Sequence, residues 1–172
     1  MSKVPRAILL VILTLMLLLA GCSAGCEPSV ARVGEPAPDF QLQNLDGQAF
    51  SLRDLRGKPV LFNFWTTWCS PCVFEMPYLQ QIYEEWSGKP TPVVVLGINV
   101  GESASTAKSF MQRYNLSFPV LLDTRQIVAQ KYNIIGYPTT FLIDKNGIIQ
   151  GVKIGPFQSK EEIEGGIRRV IP

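Results

Sequence analysis

Pro59-Val60-Leu61-Phe62-Asn63-Phe64-Trp65 runs directly into Thr66-Thr67-Trp68-Cys69-Ser70-Pro71-Cys72, and the change of pattern across that junction decides the fold. The first seven residues are almost continuously apolar and follow the turn residues Gly57 and Lys58. Such a run predicts a central strand covered on both faces. From Pro71 to Trp86 the pattern changes: Phe74, Pro77 with Tyr78, Ile82 and Trp86 recur every three or four residues. That spacing predicts a helix, with Pro77 as the place for a kink and Gly88 and Pro90 as its stop.

Two cysteines sit at the joint. A helix starting near Cys69 points unpaired N–H groups and its positive dipole end at the first sulfur. This favours the thiolate, which is the nucleophile. Two intervening residues bring the sulfurs within bridging reach, and Pro71 costs little so early in a helix. Cys69 is therefore placed to attack a disulfide, and Cys72 to release the mixed disulfide by attacking Cys69. A purely structural bridge over so short a loop would remove little chain entropy. A closed zinc site needs four ligands, and the body offers neither His nor a second C-x-x-C. No metal and no cofactor beyond a redox-active Cys69–Cys72 disulfide is expected.

Outward from the junction, the chain alternates strands and helices. Asp39–Gln43 and Gln48–Leu52 flank the turn Asn44-Leu45-Asp46-Gly47, an N-terminal hairpin. Ser51 is placed to cap a helical turn through Arg56, stopped by Gly57. Val93–Val100 reads as a second buried strand, Ser105–Tyr114 as a helix and Pro119–Leu122 as a short strand. Gln126–Tyr132 reads as a short helix, and Thr139–Asp144 and Gly147–Ile154 as a hairpin about Lys145-Asn146-Gly147. Ser159–Val170 closes the chain as a helix, with Glu161 and Glu162 in its first turn and Arg168 and Arg169 in its last, matching its dipole. The expected class is α/β, with a mixed central sheet flanked by helices.

The whole chain has 172 residues with 16 Lys plus Arg, 14 Asp plus Glu, four Cys and no His. That length suits one domain. Without His there is no Ser-His-Asp or Cys-His pair, no His-ligated metal and no C-x-x-C-H haem attachment. The small net charge of +2 makes no case for nucleic acid. Lys3 and Arg6 precede an apolar run over 7–20, too short to span a bilayer but suited to a signal peptide. Removing residues 1–21 takes both cations with it and leaves a body with equal numbers of basic and acidic side chains. Residues 22–34, with Gly25, Pro28 and Gly34, read as a flexible tether, and residues 35–172 as the folded domain.

Leu19-Ala20-Gly21-Cys22 resembles the lipobox of bacterial lipoproteins, which implies lipid on Cys22 and leaves Cys26 a spare thiol. Asn63 through Cys72 resembles the active-site segment of the thioredoxin superfamily, and more narrowly the extracytoplasmic TlpA/ResA-like thiol–disulfide oxidoreductases. The likeness extends from Val33-Gly34-Glu35-Pro36-Ala37-Pro38-Asp39-Phe40, through Glu75-Met76-Pro77, to Gly136-Tyr137-Pro138-Thr139. It implies a thioredoxin fold with an N-terminal hairpin and an inserted helix–strand near Glu102 to Leu122. It also implies that Pro138 is cis and faces the cysteines, and that the backbone at Tyr137 pairs with a substrate chain. Thioredoxin itself has a buried Asp where this chain has Asn63, whereas the TlpA/ResA-like group has a helix Glu in its stead. Glu75, about one helical turn after Cys72, is thus the candidate to move the proton of Cys72. Trp65 and Trp68 are expected to pack around the site, Trp68 with Tyr137 as substrate contacts.

The resemblance implies a monomeric, membrane-anchored reductant of disulfides in specific secreted proteins such as apocytochrome c. It would be kept reduced by a membrane thiol donor of the CcdA/DsbD-like kind, outside the cytoplasmic membrane of a bacterium. Ser70-Pro71 lacks the His common between the cysteines of oxidising relatives. Two other readings compete. Ala37-Pro38-Asp39-Phe40 and Thr66 also resemble peroxiredoxins, and the Sco-type copper chaperones share the fold but need a wider cysteine spacing and a His.

Overall fold

The computed structural model describes residues 31–171; the leader, Cys22, Cys26 and most of the tether lie outside them. In chain order the elements are β1 (Gln41–Asn44), β2 (Ala49–Ser51), β3 (Val60–Trp65), α1 (Ser70–Trp86), β4 (Val94–Val100) and α2 (Ala104–Arg113). Then come β5 (Val120–Asp123), α3 (Ile127–Lys131), β6 (Thr139–Ile143), β7 (Ile149–Ile154) and α4 (Lys160–Ile167). One seven-stranded sheet runs in the order β2-β1-β5-β4-β3-β6-β7. β4 pairs parallel with β3 on one side and β5 on the other; β6, β7 and the β1–β2 hairpin join antiparallel. This is the mixed sheet of the thioredoxin fold, with the hairpin attached through β5 at the end of the inserted α2–β5 segment.

The continuous apolar run proves to be the middle of the sheet, and every residue of β3 is buried. Its alternation supplies both cores. Leu61 and Trp65 face Met76, Leu79 and Ile82 of α1, Phe110 of α2 and Ile163 of α4. Val60, Phe62 and Phe64 face Phe40, Tyr132 and Phe141 on the other side. There the aromatic rings meet edge to face, Tyr132 standing 5.3 Å from Phe62 and 5.0 Å from Phe141. Each such pair contributes about 0.5–1.5 kcal/mol beyond its buried area. The Tyr132 hydroxyl donates to the Pro38 carbonyl at 2.6 Å, which ties the N-terminal segment to this face.

Local chemistry sets the ends of elements. The Asn44 side chain accepts from the N–H groups of Asp46 and Gln48, and Gly47 turns the hairpin at φ +81°. Ser51 accepts from the Arg53 N–H and caps a single 3-10 turn, Leu52–Leu55, so β2 is shorter than its alternation suggests. α1 continues through Pro77, forgoing only the bond that residue's N–H would have made. α4 stops at Ile167, short of the expected Val170. Gly165 and Gly166 are poor helix formers, and the N–H groups of Arg169 and Val170 bond three residues back. Arg168 and Arg169 therefore lie beyond the last helical turn.

Candidate active site

The parallel strands β3 and β4 end on the same side of the sheet, and the dithiol stands where β3 gives way to α1. Cys69 is the N-cap of α1, and its Sγ accepts the Cys72 N–H at 3.2 Å. That bond satisfies a helix-start N–H that would otherwise lack a partner, and it stabilises negative charge on sulfur. The two cysteines form a disulfide with Cα atoms 5.2 Å apart. Cys69 keeps 5% of its surface exposed and Cys72 none, so an outside sulfur reaches Cys69 first.

Behind Cys72 on the same helix, Glu75 is completely buried. One carboxylate oxygen, Oε1, accepts from Asn63 Nδ2 at 2.7 Å. The other, Oε2, accepts from the Phe157 N–H at 2.8 Å, in the loop between β7 and α4. Asn63 Nδ2 also donates to the Thr140 hydroxyl at 2.8 Å. Burial pushes the Glu75 carboxyl from 4.5 up to about 7. The two hydrogen bonds and the positive charge of Lys153 hold it back from rising further, while Glu162 adds to the rise. A carboxyl poised near neutrality in an apolar site can take a proton and return it. Asn63, which replaces thioredoxin's buried carboxylate, thus serves here as a donor to one that sits on the helix instead.

The Tyr137–Pro138 peptide bond is cis. The Pro138 carbonyl accepts the Gly155 N–H at 2.9 Å, and the Thr139 hydroxyl donates to Gly136 O at 2.8 Å. These bonds hold the loop ahead of β6 beside the cysteines. A groove of about 560 Å³ runs past Cys69 between Ser70-Pro71 and the Ile134–Tyr137 loop, with Trp68 on its wall. Trp68 is 70% exposed and meets Tyr137 edge to face at 6.0 Å. Ile135 is 78% exposed at the groove's outer lip. Burial, and then the negative charge of Asp123, raise the Tyr137 phenol above its usual value and keep it neutral. A second depression of about 440 Å³, between the β1–β2 hairpin and the β5–α3 connection, holds no cysteine.

The two tryptophans part company. Trp65 is fully buried under the dithiol, 5.0 Å from Phe110, and only Trp68 faces outward. Among the described residues no three Cys, Asp or Glu side chains gather as a metal site. Two further contributors escaped the sequence. The Phe157 N–H lies 82 residues from Glu75, and no local pattern announces a backbone donor. Glu102 accepts from both the N–H and the hydroxyl of Thr67, at 2.8 and 2.6 Å. Its place just after the second buried strand, at the active end of the sheet, was the available signal.

Residues 33–152 match the model of the AhpC/TSA family. The thiol-disulfide oxidoreductase ResA of Geobacillus kaustophilus is 40% identical over 166 residues, covering 96% of this chain and 94% of its own. Among solved structures, a thiol:disulfide interchange protein of the thioredoxin family from Chlorobium tepidum superposes with a TM-score of 0.70 at 32% identity, over 83% of this chain and 99% of that one. A secreted Mycobacterium tuberculosis disulfide oxidoreductase homologous to Escherichia coli DsbE gives a TM-score of 0.67 at 27% identity, over 75% and 94%.

Proposed function

The chain belongs to the AhpC/TSA family as a ResA-like thiol–disulfide oxidoreductase, and from that premise we propose that it is a lipid-anchored, extracytoplasmic reductant of specific protein disulfides. What favours reduction is the ResA likeness together with Ser70-Pro71, which lacks the His common in oxidising relatives. The observation that carries the chemistry is the buried Glu75, a proton store behind the inner cysteine. In the reducing half-reaction the Cys69 thiolate attacks a client disulfide. The Cys69–client bond forms, the client S–S bond breaks, and the departing client sulfur takes a proton from water. Cys72 then gives its proton to Glu75 and attacks Cys69 Sγ. The intramolecular disulfide forms and the second client thiolate leaves, so two electrons pass from the dithiol to the client.

Trp68, Tyr137 and Ile135 supply an open apolar surface beside Cys69, suited to an extended chain carrying a cysteine pair. The cis loop at Pro138 offers its backbone to that chain. Apocytochrome c before haem attachment is the client type that the ResA likeness favours, and a CcdA/DsbD-like membrane thiol carrier the natural source of electrons. The lipobox at Cys22 and the description of one relative as secreted support a place outside the cytoplasmic membrane. Trapping tests the whole reading: Cys72→Ser should accumulate in cells as a Cys69-linked mixed disulfide with an exported protein bearing a cysteine pair. Wild-type protein that consumes hydrogen peroxide quickly and reduces no protein disulfide would favour the peroxiredoxin alternative instead.

A further inference from the structure

Glu102 follows Gly101 at the end of β4 and precedes Ser103, the N-cap of α2. It is thus the first residue of the inserted segment, yet its carboxylate reaches back to the β3–α1 junction. Oε2 accepts the Thr67 N–H at 2.8 Å and Asn99 Nδ2 at 2.7 Å, and Oε1 accepts the Thr67 hydroxyl at 2.6 Å. No ion pair among the described residues involves Glu102. Its negative charge is committed to three neutral donors, two of them on one residue. Hydrogen bonds to an ionised acceptor are about twice as strong as neutral ones.

What Thr67 controls is the next residue. Thr67 stands between the end of β3 and Trp68, so the plane of its backbone sets the direction in which Trp68 leaves the chain. Trp68 is largely in solvent and meets a single aromatic neighbour, Tyr137. So exposed an indole has little packing to hold it, and its place depends on the backbone that carries it. We infer that Glu102 is a positioning residue for client recognition: by clamping Thr67 it holds Trp68 opposite Tyr137 at the mouth of the groove, without touching either sulfur. The inserted segment then has a task at the site, which its first residue performs. The inference rests on the dithiol activity and not on the direction or client proposed above.

The test compares two disulfides in the full-length chain. One is a peptide closed by a Cys-x-x-Cys disulfide with apolar flanks, which must dock on the groove. The other is a small aryl disulfide, dithiobis(nitrobenzoic acid), which needs only the sulfur. Glu102→Ala should lower kcat/KM for the peptide roughly tenfold, mainly through KM, while the aryl disulfide rate stays within about twofold. Glu102→Gln, which keeps one acceptor oxygen, should restore most of the loss. The double variant Glu102→Ala with Trp68→Ala should lose no more than Trp68→Ala alone, as expected of residues acting through one contact. Equal losses on both disulfides would mean that Glu102 serves the dithiol or the fold. Additive losses, an inert Trp68→Ala or an unaffected peptide rate would equally overturn the inference. If Glu102→Ala does not fold, Thr67→Val carries the same comparison, because it removes the hydroxyl that donates to Glu102 Oε1.

Discussion

A single proton on Glu75 couples the chemistry of the site to the stability of the molecule. In the unfolded chain this carboxyl loses its proton near 4.5, and in the folded one only near 7. Between those limits the native state binds more protons, so stability declines as pH rises through the window and is level on either side. The accumulated loss by pH 8 is roughly 3 kcal/mol. Glu75→Gln in the disulfide form should abolish that decline, seen as urea midpoints that separate from wild type at pH 8 and converge at pH 4. Midpoints falling in parallel would remove Glu75 as the source. The same variant should turn over ten- to a hundredfold more slowly, roughly, with the inflection near pH 7 gone from its rate profile. Asn63→Asp would set a second carboxyl 2.7 Å from the first. The pair should then share one proton, and stability at pH 8 should fall below wild type.

At the scale of elements, packing around β4 and the start of α4 can be probed at single atoms. A Cβ on Gly97 would lie 2.7 Å from the indole nitrogen of Trp65 and 3.0 Å from the Phe118 ring. Gly97→Ala should therefore cost about 1–3 kcal/mol by overpacking; an unchanged midpoint would mean that Trp65 can slide under the dithiol. Ser159 caps α4 by accepting the Glu162 N–H, and Ser159→Ala should cost about 1 kcal/mol. Most elements were legible because each carries its own period or its own punctuation. The run from Pro59 to Trp65 and the Asn44 and Asn146 turns are local signals, as is Ser51. The misreadings are local too: Gly165-Gly166 shortened α4, and Leu52 left its strand for a 3-10 turn. At the site the cysteines stood out by residue type and spacing, Glu75 by its helical spacing from Cys72 together with the family resemblance, and Pro138 through the resemblance alone. Glu102 and the Phe157 N–H did not, because their partners lie 35 and 82 residues away. Only the closed sheet brings them together.

The sheet order gives the whole molecule a gradient of order. β3 and β4 lie at the centre with strands on both sides, whereas β2 is a three-residue edge held only by β1. Amide exchange should follow that order, slowest in β3, β4 and β6 through global unfolding and fastest in the hairpin through local opening. Hairpin amides exchanging as slowly as those of β3 would show that the hairpin belongs to the cooperative core. The unequal fates of the tryptophans carry one last consequence, an optical one. Trp65 is buried beneath the dithiol and Trp86 at the far end of α1 from the groove, and Trp68 alone stands largely in water beside the cysteines. Emission from this protein should therefore divide into a blue component that ignores visitors and a red component that answers to them. A polypeptide settling on the groove should dim or shift only the red part, so the molecule carries its own lamp for watching what it binds.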